Sequence, residues 1–327
     1  MTTSPLSTDS RPRGGVAVVI AAWRAAGTIR HAVSSALAQP EAAEVIVVDD
    51  ESGDGGATLA AARAADNGSG RLTVIGLETN GGPARARNAA IDASSAPWVC
   101  ILDSDDFLEP GRLAALLRSA DGYDFVADDL IQMDAGSDRS TGKAMWFREA
   151  PAAIDITLDA FVESNISHPS RYRRELGFLK PMMRRAFLDA HSVRYDEAMR
   201  LGEDYDLYVR ALAAGARFRL IPAAGYVSVM RADSLSARHT RADLANFAAS
   251  DDRLLASANL TTAQQRIVQR HRLSTAKRIA WIDFIESLKA GRLAAAAGVI
   301  ARDPRVAPSI GAGLMKIVGK RLSGAKA

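Results

Sequence analysis

Short apolar runs alternate with helix-like periodicity along the first third of this chain. Four runs have the length and composition of buried parallel strands: Val16–Ile20, Glu44–Val48, Leu72–Gly76 and Trp98–Leu102. Between them, apolar residues at helical spacing predict helices over about Gly27–Gln39, Ala57–Ala65 and Pro83–Ala93. Strands alternating with helices across turns of Gly, Asp and Asn predict an α/β fold with a doubly wound, mostly parallel sheet.

The pattern changes beyond about residue 240, where apolar residues recur at helical spacing only. Three helices are predicted there, near 242–257, 261–289 and 291–302. Residues 1–13 are rich in Ser, Thr, Pro and Arg without an apolar core, so we expect a disordered tail rather than a signal peptide. The predicted organisation is a tail over 1–13, an α/β domain over 14–240 and an all-helical extension over 241–327.

Composition and charge are typical of a soluble globular protein. Hydrophobic residues make up 48% of the sequence and charged residues 24%. A net charge of +3 gives no reason to expect a nucleic-acid partner. Cys100 is the single cysteine, so no internal disulfide can form and a reducing compartment fits. Because no apolar run approaches the roughly 20 residues of a membrane-spanning helix, we expect a cytoplasmic protein.

One segment near the end of the chain mixes apolar and basic residues. Residues 314–322 read Leu-Met-Lys-Ile-Val-Gly-Lys-Arg-Leu. Such a segment can lie on the anionic inner surface of a cell membrane, which would make the protein peripheral there. Packing against the rest of the chain or against a partner protein is the alternative.

The clearest chemical signal is a group of acidic residues directly after the fourth apolar run. Asp103, Asp105 and Asp106 lie within four positions of one another. Carboxylates this close repel one another unless a cation lies among them. Because ligands bind at the carboxyl ends of strands in open α/β sheets, Asp103 and Asp105 predict a divalent-metal site for a phosphate-bearing ligand. The alternative is an acidic turn that caps a helix starting near Glu109.

Two common nucleotide-binding signatures are missing from the sequence. There is no Gly-x-Gly-x-x-Gly after the first predicted strand, and no phosphate-binding loop ending in Gly-Lys-Ser or Gly-Lys-Thr. Their absence argues against a dinucleotide-dependent dehydrogenase and against a P-loop NTPase. A metal at the acidic residues would be another way to neutralise a pyrophosphate.

Six motifs occur in an order that resembles a known family. They are Val18–Trp23, Val47–Ser52, Asn80–Asn88, Leu102–Asp106, Gly177–Pro181 and Gly202–Asp206. Together they resemble the successive motifs of the family 2 glycosyltransferases, and point toward the succinoglycan-type glucosyltransferases of the bacterial exopolysaccharide branch. The resemblance covers about residues 16–236 and implies the GT-A fold.

The resemblance implies a binding site for a nucleotide-sugar. Its implied residues are Ala21, Trp23, Asp50, Arg87, Asp103, Ser104 and Lys180. Trp23 stands where an aromatic ring stacks on uracil, and Asp50 where a carboxylate reads the base; a core aromatic and a turn acid are the alternatives. Arg87 matches a residue close to the diphosphate or to Asp103; an exposed charge on a helix is the alternative. Lys180, Arg184 and Arg185 form a basic cluster that either contacts the ligands or is simply solvated.

The resemblance also implies a metal site and a catalytic base. Asp103 and Asp105 match the metal-binding acids, and their oxygen ligands favour Mn²⁺ or Mg²⁺. Asp204 matches the base that takes the acceptor proton, with Glu203 as second candidate. Acids also favour helix N-termini, which is the structural alternative for Asp204. A single base without a carboxylate nucleophile implies inversion at the anomeric centre.

The implied function is metal-dependent transfer of a hexose, for example glucose, from a UDP-sugar to a hydroxyl of a growing, lipid-linked exopolysaccharide or cell-surface glycan. Two alternatives stay open: a sugar nucleotidyltransferase, and a non-catalytic protein that binds nucleotide-sugars. The products separate them, because transfer releases UDP, nucleotidyl transfer releases pyrophosphate, and a binding protein releases neither.

Overall fold

The structure of the chain is a computed structural model that describes residues 15–137, 142–146, 152–166, 175–231, 239–257 and 260–322. The predicted tail over 1–13 lies outside the described residues. Two compact units are present. The first comprises the described residues within 1–158 and 176–234, and the second comprises those within 159–175 and 235–327.

Among the described residues, the first unit contains all of the strands, six α-helices and the first residue of a seventh. The strands are β1 (Val16–Ala22), β2 (Ala42–Asp49), β3 (Leu72–Gly76), β4 (Trp98–Ile101), β5 (Phe107–Leu108), β6 (Phe125–Asp128), β7 (Ile131–Asp134), β8 (Lys143–Ala144), β9 (Ile154–Ile156), β10 (Met182–Arg184), β11 (Phe218–Ile221) and β12 (Tyr226–Met230). The helices are α1 (Ile29–Leu37), α2 (Ala57–Arg63), α3 (Pro83–Asp92), α4 (Arg112–Arg118), α5 (Leu158–Asn165), α6 (Arg185–Ala190) and α7 (Glu203–Ala213).

The main sheet has eight strands among the described residues, in the order β3-β2-β1-β4-β10-β6-β11-β9. Its first four strands are parallel and are joined through α1, α2 and α3, as the sequence predicts. β10 is antiparallel to both of its neighbours, β4 and β6. The predicted mostly parallel α/β sheet is confirmed, and β10 is an antiparallel insertion that the apolar pattern does not indicate.

The centre of this sheet explains why its strands are uninterrupted apolar runs. Every residue of Val16–Ile20 in β1 is 0% exposed, because helices cover both faces of a doubly wound sheet. The Asp50 amide donates to the Ala22 carbonyl at 2.8 Å, and the Leu102 amide donates to the Val19 carbonyl at 3.0 Å. The carboxyl ends of β1, β2 and β4 therefore meet at one edge of the sheet.

A smaller sheet lies beside this edge, in the order β5-β12-β7-β8. β12 is antiparallel to β5, with Tyr226 opposite Leu108. Since β5 follows the acidic residues after β4, this pairing holds β12 against the acidic segment. The sequence analysis did not predict this second sheet.

The second unit is helical, as predicted. Besides most of α5 it contains α8 (Arg241–Ser257), α9 (Thr262–Lys289), α10 (Leu293–Arg302) and α11 (Ala307–Leu322). α9 begins at a capping box in which Thr261 and Gln264 bond reciprocally. The apolar core of this unit comprises Ala280, Phe284, Ala296, Val299, Val306 and Ile310. Among the described residues, no helix has the length and apolar character that crossing a membrane requires.

Candidate functional site

The acidic segment after β4 forms a tight turn that is anchored on β12. The Asp106 amide donates to the Asp103 carbonyl at 3.2 Å. The buried Asp106 carboxylate accepts hydrogen bonds from the Tyr226 hydroxyl and the Val229 amide, each at 2.8 Å. The Tyr226 hydroxyl in turn accepts from the Asp103 amide at 3.2 Å. Asp106 therefore fixes the turn, while Asp103 and Asp105 remain partly exposed.

Asp103 is ion-paired on both carboxylate oxygens. Arg87 Nη2 lies 2.8 Å from its Oδ1, and Lys180 Nζ lies 2.9 Å from its Oδ2. Burial would raise the pKa of Asp103, but the charges of Lys180 and Arg87 outweigh it and lower the pKa to about 2. Asp103 is therefore held as a carboxylate between two cations that come from other parts of the chain.

Two buried acids at the first turn of α7 contact the same cations. Gly202 precedes them with a φ of 84°, a conformation that glycine adopts freely. Lys180 Nζ lies 2.7 Å from Asp204 Oδ2, and Arg87 Nη1 lies 2.5 Å from Glu203 Oε1 and 3.5 Å from Asp204 Oδ1. Burial raises the pKa of Glu203, and the charge of Asp204 adds to this in spite of the Arg87 guanidinium.

We call Arg87, Asp103, Lys180, Glu203 and Asp204 the charge cluster. It joins residues that the sequence analysis expected at the donor with those expected at the catalytic base. Arg87 is 5% exposed, so the alternative of an exposed helix charge is wrong. In such a buried cluster each charge is stabilised by its neighbours of opposite sign.

Asp50 lies at the end of β2 and holds the loop before α3. Its carboxylate accepts hydrogen bonds from the Gly81 amide at 2.8 Å and the Gly82 amide at 2.6 Å, and the residue is 3% exposed. Gly82 has a φ of 87°, which favours glycine there. Asp50 thus fixes the start of the helix that carries Arg87.

Trp23 follows β1 with its ring partly exposed. The residue is 46% exposed, so a core role does not explain it. The Arg24 guanidinium lies 4.8 Å from the centre of the indole ring. Arg24 itself has a φ of 49°, and its amide donates to the Ser52 hydroxyl at 2.7 Å. The result is an exposed aromatic face next to the carboxyl end of β1.

Both small residues that are predicted at the site, Ala21 and Ser104, lie at the edge of the sheet where β1 and β4 end. Ala21 pairs with Val48 across β1 and β2, one residue before the end of β1. Ser104 lies in the acidic turn and is partly exposed.

The basic residues Lys180, Arg184 and Arg185 do not form one cluster. Lys180 reaches the charge cluster, whereas Arg184 donates to the Tyr123 carbonyl at 2.6 Å. Arg185 donates to the Ala96 carbonyl at 2.7 Å. Both arginines therefore bind backbone carbonyls of their own unit. They lie where β10 ends, at Arg184, and where α6 begins, at Arg185. The prediction that the three residues form one basic cluster is therefore wrong.

Three buried residues that the sequence analysis missed support the site: Arg112, Tyr208 and Tyr226. Arg112 is 0% exposed and pairs with Asp128 at 2.8 Å. No local pattern distinguishes it from an ordinary arginine at the start of a helix. A tyrosine within an apolar run, as in β12, reads simply as a core aromatic.

The acidic turn has the chemistry of a divalent-cation site with few protein ligands. Burial and the charge of Asp103 raise the pKa of Asp105, and burial with the charges of Asp103 and Asp105 raises that of Asp106 well above its ordinary value. A cation beside the turn would oppose both upward shifts, because it would favour the ionised carboxylates. No group of three acidic, histidine or cysteine side chains suited to a metal occurs within the described residues. Asp105 and Asp103 fit an ion that takes its other ligands from phosphate and water, as Mg²⁺ commonly does.

Comparison with known proteins gives a family and a fold. The model of the family "Glycosyl transferase family 2" matches residues 17–177. The succinoglycan biosynthesis protein ExoU of Rhizobium meliloti (strain 1021) is 46% identical over 92% of this chain and 86% of its own.

Two solved structures share the fold at lower identity. TarS 1–349 of S. aureus, in complex with UDP-GlcNAc, superposes with a TM-score of 0.62 at 18% identity, covering 89% of this chain and 92% of that one. The mannosyltransferase PcManGT of Pyrobaculum calidifontis, in complex with GDP-Man and Mn²⁺, gives 0.57 at 16% identity, covering 97% and 88%. These likenesses confirm the predicted GT-A fold.

Proposed function

The chain belongs to the family 2 glycosyltransferases, and we propose on that premise that it transfers a hexose from a UDP-sugar to a hydroxyl of a growing exopolysaccharide. The observation that carries the proposal is the charge cluster. It brings the acidic turn after β4 and the first turn of α7 together through Lys180 and Arg87. A donor diphosphate at Asp103 and Asp105 would therefore lie close to a carboxylate on α7.

Uridine is the base that we propose for the donor. The exposed Trp23 ring, directly after β1, offers a face for stacking of the base. UDP-GlcNAc in the TarS complex supports this choice, while GDP-Man in the PcManGT complex makes GDP the comparison to run.

Asp105 and Asp103 are the residues that we propose to hold Mn²⁺ or Mg²⁺ together with the donor. Such an ion, when bound, stabilises the negative charge that develops on the leaving diphosphate. The protein's own contribution is to hold Asp103 ionised and to fix the turn that carries both carboxylates. The Tyr226 hydroxyl and Asp106 fix the turn, and Lys180 and Arg87 keep Asp103 deprotonated.

Asp204 is the catalytic base in this proposal. Its carboxylate takes the proton of the acceptor hydroxyl as the acceptor oxygen forms a bond to the anomeric carbon. The bond from that carbon to the diphosphate oxygen breaks, and its electron pair leaves with UDP. Because the acceptor attacks from the face opposite the leaving group, the anomeric configuration inverts. Glu203 is bonded to Arg87 and is the second candidate.

The proposed acceptor is a lipid-linked glycan, in keeping with the pathway named for ExoU. We extend the proposal to the outer face of α11, where Met315 is 76% and Val318 55% exposed. Lys316 is exposed on the same helix. Exposed apolar side chains beside basic residues suit an anionic lipid surface, so we place the enzyme on the inner face of the cell membrane.

Incubation of the purified chain with UDP-glucose, Mn²⁺ and a lipid-linked oligosaccharide tests the function. Release of UDP with a new glycosidic bond is expected, and NMR of the product should show the inverted anomeric configuration. Release of pyrophosphate from UTP and a sugar phosphate would instead identify a nucleotidyltransferase. Tight binding of UDP-sugars without either product, across a panel of sugars and acceptors, would identify a binding protein.

A further inference from the structure

Lys180 joins the two carboxylates on which the proposed reaction depends. Its ammonium group lies 2.9 Å from Asp103 Oδ2 and 2.7 Å from Asp204 Oδ2. The Lys180 side chain is 10% exposed and that of Asp204 is 11% exposed. The ammonium is thus buried between the acid proposed for the donor site and the acid proposed as the catalytic base.

The backbone around Lys180 is held by two buried donors. Arg112 Nη2 donates to the Lys180 carbonyl at 2.7 Å, and the Tyr208 hydroxyl donates to the Leu179 carbonyl at 3.0 Å. Arg112 and Tyr208 are each 0% exposed. These bonds fix the carbonyls of two consecutive residues. The backbone from which the Lys180 side chain extends is therefore held in place.

The arrangement differs from that of a flexible phosphate-binding lysine. An ammonium group has three hydrogen-bond donors, and Lys180 already has two carboxylate partners for them. The lysine is therefore paired within the protein itself.

We propose that Lys180 is a positioning residue that holds the Asp204 carboxylate for proton transfer, rather than a ligand of the donor diphosphate. The proposal rests on the function proposed above, in which Asp204 is the base. It replaces the role in nucleotide-sugar binding that the family resemblance implies for Lys180. Loss of the ammonium should then slow the chemical step and leave nucleotide binding intact.

Two variants and two ligands separate these roles. Lys180→Gln removes the charge, and Lys180→Arg keeps it on a longer, planar group. Calorimetry with UDP and with uridine, each with Mn²⁺, measures the contribution of the diphosphate. The rate of UDP release with saturating UDP-glucose and lipid-linked oligosaccharide gives kcat. Lys143→Gln, at an exposed lysine of the same unit, is the matched control.

A positioning role predicts that kcat falls by about 100-fold in Lys180→Gln, the scale of general-base catalysis. The Kd for UDP should stay within about threefold of the native value, since a larger change would exceed roughly 0.65 kcal/mol. Lys180→Arg should recover part of kcat. If Lys180→Gln does not fold, Lys180→Arg carries the test, with reduced kcat and native UDP affinity expected.

Three results would overturn the proposal. A tenfold or greater loss of affinity for UDP, with uridine unaffected, would make Lys180 a diphosphate ligand. Equal losses for UDP and uridine would mean that the residue maintains the fold of the site. Native kcat in Lys180→Gln would exclude any role in the reaction. Failure of the proposed function is distinguishable, because the native chain would then release no UDP at all.

Discussion

Asp103 and Asp204 are ion-paired to the same ammonium group, that of Lys180, at 2.9 Å and 2.7 Å. The first acid lies in the acidic turn, two residues after β4, and the second lies in the first turn of α7. Their shared partner means that the two halves of the proposed reaction, departure of UDP and deprotonation of the acceptor, occur within one buried electrostatic unit.

Asp204→Asn should bind UDP with native affinity and lose turnover. An amide has nearly the shape of the carboxylate but accepts no proton at neutral pH, so kcat should fall by about 10²–10⁴-fold. Glu203→Gln is the matched comparison, because Glu203 is bonded to Arg87 in the same turn. A larger loss of kcat in Glu203→Gln than in Asp204→Asn would assign the base to Glu203.

Asp105→Asn should stabilise the chain in metal-free buffer. Burial and the charge of Asp103 raise the pKa of Asp105 in the folded chain, so its ionised form opposes folding above that pKa. The substitution should raise Tm at pH 7, by about 2–4 °C for each kcal/mol of repulsion that it removes. The gain should shrink as pH falls through the pKa of Asp105, because the native side chain then becomes neutral as well.

In the same melting experiment, Mn²⁺ should make the Tm of the native chain higher than that of Asp105→Asn. The ion should raise the Tm of the native chain, since a ligand that binds only the folded state stabilises it. It should leave that of Asp105→Asn nearly unchanged. Asp121→Asn, at an exposed acid, controls for loss of a surface charge. A lower Tm for metal-free Asp105→Asn would contradict the electrostatic account of the turn.

Trp23→Ala should weaken binding of UDP without lowering Tm. The ring is 46% exposed, so its removal leaves little cavity. A lost base-stacking contact of about 1–3 kcal/mol corresponds to a rise in Kd of roughly 5-fold to 150-fold. Trp23→Phe keeps an aromatic face and should recover much of the affinity. Native UDP affinity in Trp23→Ala would remove Trp23 from the nucleotide site.

Met315→Glu combined with Val318→Glu should release the protein from anionic vesicles. Both side chains are exposed on α11, and two added carboxylates would be repelled by the lipid. Flotation with vesicles of phosphatidylglycerol and phosphatidylcholine measures the binding, with phosphatidylcholine alone as reference. Leu293→Glu, at an exposed leucine of α10, is the matched control. Equal flotation of the native chain on both vesicle types would argue against an anionic surface.

The sequence was sufficient to predict the parallel half of the sheet and the acidic edge. Central strands such as Val16–Ile20 are covered on both faces, and their burial requires an unbroken apolar run. The helices of the second unit are likewise predicted from apolar residues that recur at helical spacing. These features depend on neighbours in sequence, so local patterns report them.

The position of Lys180 could not be predicted in the same way. It depends on β10, which inserts antiparallel between β4 and β6, and pairs Met182 with Cys100 and Val126. Three residues contain too little pattern to fix such a distant pairing. Arg184 and Arg185 show the same limit, since all three cations look alike in sequence while only Lys180 reaches the charge cluster.

Calorimetric titration of UDP into the native chain, with and without Mn²⁺, tests the central claim most directly. The account predicts that UDP binds with Mn²⁺ and at least tenfold more weakly without it. It also predicts weaker binding of GDP under the same conditions. Equal affinity for UDP with and without the ion, or no binding of UDP in either condition, would contradict the proposed donor site.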